Sequence, residues 1–95
     1  ELMERMIALF HESTPRLLDD IRQAMVRRES EALARAAHAM LSSLGAFGAH
    51  DARRIAMEIE TQAKAQDYDH IERTFAGLER ATLEVHTALA TFTSN

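Results

Sequence analysis

The 95-residue chain has no cysteine, one proline and three glycines. Without cysteine there are no disulfides, thiolate metal sites or thiol nucleophiles to consider. Scarce glycine and proline, abundant alanine and the lack of any alternating β-branched stretch leave helix as the favoured regular structure. No apolar run approaches the ~20 residues a membrane span needs, and nothing resembles a signal peptide. The expectation is a soluble segment in the cytoplasm. A surplus of basic charge is missing too: eleven Lys and Arg stand against fifteen Asp and Glu, a net charge of -4. Nucleic-acid binding relies on a basic face, and the pairs Arg27-Arg28 and Arg53-Arg54 are too short to make one. No glycine-rich loop is present to cradle phosphates, which argues against ATP binding. No Glu-x-x-His pair occurs, as a di-iron bundle would need; the nearest approach, Asp67-x-x-His70, is better explained with Asp67 as a helix cap. No metal ligand set and no bound cofactor are expected.

What is present is helical punctuation. Leu2 to about Glu12 carries Leu2, Met6, Leu9 and Phe10 on one side. Ser13-Thr14-Pro15 predicts a break, with Thr14 as N-cap and Pro15 opening a second helix that gives out near Arg28. Ser30 is the expected cap of a third helix running to about Phe47, with Gly45 and Gly48 near its end. Asp51 is the expected cap of a fourth, with Ile55, Ala56, Ile59 and Ala63 facing inward. Asp67 or Asp69 caps the fifth, whose stripe of Ile71, Phe75, Leu78, Thr82, Val85, Leu89 and Phe92 keeps a heptad rhythm before fraying at Thr93-Ser94-Asn95. Short connections make consecutive helices antiparallel neighbours. The predicted fold is all-α: an up-down-up-down antiparallel four-helix bundle with a short additional N-terminal helix.

One residue departs from this amphipathic pattern. Leu33, Ala37, Met40, Leu44 and Phe47 make an apolar seam at spacings of four, three, four and three. At about 100° per residue, His38 falls roughly 140° from the centre of that seam, on the wet side of the helix. Its neighbours one turn away are Ala34, Arg35, Leu41, Ser42 and Gly45. Ala34, Ser42 and Gly45 are small and leave room for a bulky partner to reach the ring. Ser42 and Ser43 follow on the same helix without a third orienting group, so Ser-His hydrolysis is not supported. His11 and His86 sit at surface helical positions, and His50 and His70 near helix starts, where structural roles suffice. A neutral imidazole has a nucleophilic nitrogen, and imidazole's ordinary pKa of about 6.5 leaves much of it neutral near pH 7. Attack on an acyl phosphate would give a phosphoramidate that can pass its phosphoryl group on, provided the partner supplies Mg²⁺.

These residues resemble the histidine-containing phosphotransfer (HPt) domains of multistep two-component relays. The family motif reads His-x-Leu-Lys-Gly, then small residues, then Phe or Leu followed by Gly. The run His38-Ala39-Met40-Leu41-Ser42-Ser43-Leu44-Gly45-Ala46-Phe47-Gly48-Ala49 aligns with it without a gap. Glu31-Ala32-Leu33-Ala34-Arg35-Ala36-Ala37 looks like the usual approach to the His. The later Ile55, Glu58, Ile59, Glu60, Ala63 and Asp67 look like the helix after the motif. The resemblance spans roughly Leu2 to Leu89.

It implies that His38 carries a phosphoryl group between receiver domains of response regulators or hybrid histidine kinases. The receivers would bring the Mg²⁺, and Ala34, Arg35, Leu41, Ser42 and Gly45 would frame the docking surface. No nucleic-acid or membrane contact is implied, and the chain is a phosphocarrier rather than an enzyme. The chain opens with Glu1 rather than Met, and the expectation is one domain over residues 1–95, either a protein by itself or a piece of a larger sensor protein. Two positions depart from the family. Leu41 replaces the Lys that lies beside the phosphoryl group and offsets its charge, a contact worth about 1.5–3 kcal/mol when well made; Arg35, one turn before His38, is the expected partial substitute. Ser42 replaces a Gly, adding a hydroxyl able to donate to a phosphoryl oxygen. Two alternatives keep the fold and drop the chemistry: a degenerate module that binds a receiver or kinase without being phosphorylated, and a helical dimerisation bundle.

Overall fold

A computed structural model describes residues 1–93, with the backbone alone for Phe92 and Thr93. The inward placing of the Phe92 side chain and the fraying of Ser94 and Asn95 lie outside the described residues. Among the described residues five helices follow one another: α1 (Leu2–Arg27), α2 (Ser30–Ala39), α3 (Leu41–Ala46), α4 (His50–Lys64) and α5 (Tyr68–Thr93). α1 packs on α2, α2 on α4, α4 on α5, and α5 returns to α1. With α3 continuing the line of α2, this is an antiparallel four-helix bundle, 43 Å long and 18 Å across.

The separate N-terminal helix is not there. α1 is one helix of 26 residues with Pro15 inside it. An internal proline costs about 3 kcal/mol, because it removes one hydrogen bond and crowds the preceding turn. Ile7 and Phe10, before the proline, are 2 % and 1 % exposed, and each buried side chain returns about 1.5–3 kcal/mol. Their phase runs on unbroken beyond it, from Ile7 through Thr14 to Ile21 and from Phe10 through Leu17 to Ala24. Packing against the bundle therefore outweighs the local break, and Pro15 itself points to solvent.

The helix carrying His38 is divided in two. Met40 N–H bonds the Ala37 carbonyl, three residues back, while Leu44 N–H bonds the Met40 carbonyl. The chain tightens at Met40, yet Leu33, Ala37, Met40 and Leu44 all stay fully buried in the seam. Three helix ends share one device, a left-handed residue with a six-to-one hydrogen bond across it. Arg28 (φ 55), Gly48 (φ 66) and Gln66 (φ 56) are those residues, and the bonds run from Glu29, Ala49 and Asp67 N–H to the carbonyls of Ala24, Leu44 and Gln62.

The expected caps fared unevenly. Ser30 is the first residue of α2 rather than its cap, and its hydroxyl pairs with the Tyr68 hydroxyl. α4 begins at His50, two residues earlier than a cap at Asp51 implies, and Asp51 lies in its exposed first turn. Asp67 precedes α5 and accepts a hydrogen bond from the His70 ring at 2.7 Å. Among the described residues no helix is long and apolar enough to cross a membrane.

Candidate functional site

His38 stands in the last turn of α2, opposite the buried Leu33, Ala37 and Met40, and its side chain is 68 % exposed. Arg35, Ser42 and Gly45 are exposed as well. Helical periodicity carries them along with His38 as one solvent-facing row across α2 and α3. Two expected members of this surface sit lower. Ala34 is buried, because it lies beside the seam residue Leu33, and forms part of a groove floor rather than a rim. Leu41 is half-buried against the core. It follows directly on the seam residue Met40, where an aliphatic side chain gains by covering its neighbours.

α4 runs antiparallel to α2 and supplies a second wall. Its Glu60 carboxylate lies 3.2 Å from Nδ1 of His38 and 3.3 Å from Nζ of Lys64. Partial burial pushes the Glu60 carboxyl up. The hydrogen bonds and charges of His38 and Lys64 outweigh that and hold it below the ordinary 4.5. An ionised carboxylate can accept but not donate, so on the neutral ring the proton resides on Nδ1 and is donated to Glu60. The lone pair is then on Nε2. Beside the ring a groove of about 700 Å³ is bounded by Ala34, Arg35, His38, Glu60 and Lys64, so two cations flank the imidazole from two different helices.

Neither Glu60 nor Lys64 is marked as a site residue by the sequence pattern. Glu60 was legible as part of a familiar helix, but nothing in the linear pattern says which side of α4 meets His38. The remaining histidines divide. His50 and His70 are exposed at helix starts, as expected. His11 and His86 are not isolated surface residues: their Nδ1 atoms meet at 2.5 Å across α1 and α5, both half-buried, with the Phe10 ring 4.9 Å from that of His86. Burial, and the neighbouring His11, lower the pKa of His86. Among the described residues no three His, Cys, Asp or Glu side chains gather where they could hold a metal ion.

The chain is thus a small helical bundle that anchors one exposed imidazole on a rigid element and orients it from a neighbouring helix. A family model described as the Hpt domain matches residues 5–92, and the chain belongs to that family. Its class of function is phosphotransfer in two-component signalling, as a phosphocarrier rather than an enzyme, acting with receiver domains. Comparison with curated proteins and with solved structures gave no match.

Proposed function

We propose that His38 is the phosphoryl carrier of a relay, taking the group from the aspartyl phosphate of one receiver domain and passing it to the aspartate of another. The observation that carries this reading is the pairing of an exposed imidazole with Glu60 through Nδ1, which leaves Nε2 as the nucleophile. In the forward step Nε2 attacks phosphorus, the P–O bond to the donor aspartate breaks, and a carboxylate leaves. The ring becomes cationic, and its Nδ1 proton stays hydrogen-bonded to the Glu60 carboxylate. In the return step the acceptor carboxylate attacks phosphorus and the P–N electron pair goes back to Nε2. The receiver brings the Mg²⁺. Arg35, from one turn before the ring, and Lys64, across the groove, supply positive charge where Leu41 cannot.

Ser42 and Gly45 keep the approach open beside the ring, and Leu41 offers its uncovered part to an apolar partner. Leu41 in place of a lysine also favours a second reading, a docking regulator that occupies a receiver without being phosphorylated. One experiment separates the two. Purified receivers carrying labelled phosphate are mixed with the chain and with His38→Gln. Acid-labile, base-stable label on the wild type and none on the variant supports the carrier. A receiver that binds tightly yet leaves His38 unlabelled supports the regulator.

A further inference from the structure

The side of α4 that faces the His38 row holds more than Glu60. Arg53, Met57, Glu60 and Lys64 follow at spacings of four, three and four, so they share one side of α4. Because α4 is antiparallel to α2 and α3, Glu60 and Lys64 meet His38 and the groove, whereas Arg53 meets Gly45. A Cβ added at Gly45 would stand 3.5 Å from Nε of Arg53. Met57 lies between the two ends, 45 % exposed, with its Sδ 3.5 Å from Nη1 of Arg53.

Neither Arg53 nor Met57 takes part in orienting the ring. No carboxylate among the described residues pairs with Arg53, whereas the next residue, Arg54, pairs with Asp51 at 3.7 Å and Glu58 at 3.6 Å. This side of α4 thus offers an apolar step, the exposed Met57, ending in an unneutralised guanidinium. Gly45 is seven residues beyond His38, and at 1.5 Å per residue that end lies about 10 Å from the ring.

Resting on the relay reading above, we propose that Arg53 and Met57 are the second half of the docking surface. The receiver it fits presents an apolar side chain against Met57 and, about 10 Å from its phosphoryl-bearing aspartate, a carboxylate against Arg53. Opposite charges placed at such a rim speed encounter and select among partners that share the same central chemistry.

The test uses the full chain and a panel of purified receivers, with Kd and the half-saturating receiver concentration for labelling measured at low and at high salt. For the receiver bound most tightly, Arg53→Glu should raise Kd about tenfold at low salt and flatten its salt dependence, with Arg53→Lys recovering most of the loss. Met57→Ala should weaken docking at both salt concentrations, and Arg54→Glu should leave docking unchanged. Reversing the receiver's facing carboxylate to Lys should restore binding to Arg53→Glu. Unchanged helicity by circular dichroism separates these effects from unfolding. Wild-type-like docking by Arg53→Glu and Met57→Ala, with His38 still labelled in the wild type, overturns this surface and leaves the relay standing. Loss of docking in those variants without any label on His38 keeps the surface and removes the carrier. No receiver bound and no label overturns both.

Discussion

At His38 the two ring nitrogens have different neighbours, and the consequences of substitution follow from that asymmetry. Glu60→Ala removes the acceptor of the Nδ1 proton, freeing the ring to rotate and to exchange tautomers. A charge-assisted hydrogen bond is worth about 1.5–3 kcal/mol, so the rate of labelling from a receiver should fall by about ten- to a hundredfold. Glu60→Gln keeps an acceptor but not the charge, and should fall between the wild type and Glu60→Ala in the same assay; equal rates in all three would remove Glu60 from the chemistry. Leu41→Lys tests the other side of the ring. The new ammonium can extend from its half-buried stem toward the phosphoryl group, so phosphohistidine should form faster or persist longer in a timed acid-lability assay. Its cost is some of the packing that Leu41 makes with the core.

Among the elements, α1 gives the sharpest disagreement between local and tertiary preference. Pro15 sits on an exposed turn inside a helix whose Ile7, Phe10 and Thr14 are buried on one side and whose Ile21 continues the same line. Restoring the missing N–H with Pro15→Ala should therefore stabilise the fold, on the order of 1–3 kcal/mol, and raise the melting temperature in a thermal scan. A fall would mean that the proline is needed where it is. The sequence already holds the clue, since Phe10, Leu17 and Ala24 keep a spacing of seven across Pro15, and that phase outweighs the local punctuation. The left-handed helix ends show the reverse: Gly48 announces itself, whereas Arg28 and Gln66 carry side chains in the same conformation and could not be read from residue type.

The molecule as a whole gains a pH dependence from the contact that ties the start of α1 to the far half of α5. Burial, with His11 alongside, lowers the pKa of His86 below the ordinary 6.5. The unfolded chain binds that proton more readily than the folded one, so stability is complete above about pH 6.5 and is lost as pH falls toward the folded pKa. The lowered Glu60 carboxyl acts with the same sign, beginning below its ordinary 4.5. Melting temperatures measured from pH 8 downward should show the first decline near pH 6.5 in the wild type. In His86→Gln that first decline should be reduced, while the lower one stays. Coincident profiles for the two proteins would mean that His86 contributes nothing to the pH dependence.

Much of this protein was determined by composition and phase alone. Scarce glycine and proline with abundant alanine specify helices, and the seam from Leu33 through Leu44 fixes which side of their helices is buried. The same phase turns His38 outward, because a side chain some 140° from a buried seam has nowhere else to point. The family resemblance rested on that placement and its small neighbours. What only the tertiary structure decided are relations between helices that lie far apart in sequence. Glu60 reaches the imidazole from 22 positions away (38 to 60) and Lys64 lines the groove beside it from 26 (38 to 64), Arg53 reaches Gly45, and His11 reaches His86. A helix's own periodicity says which residues share a side. The rotation and offset of one helix against another come from how buried side chains interlock, and no linear spacing records that.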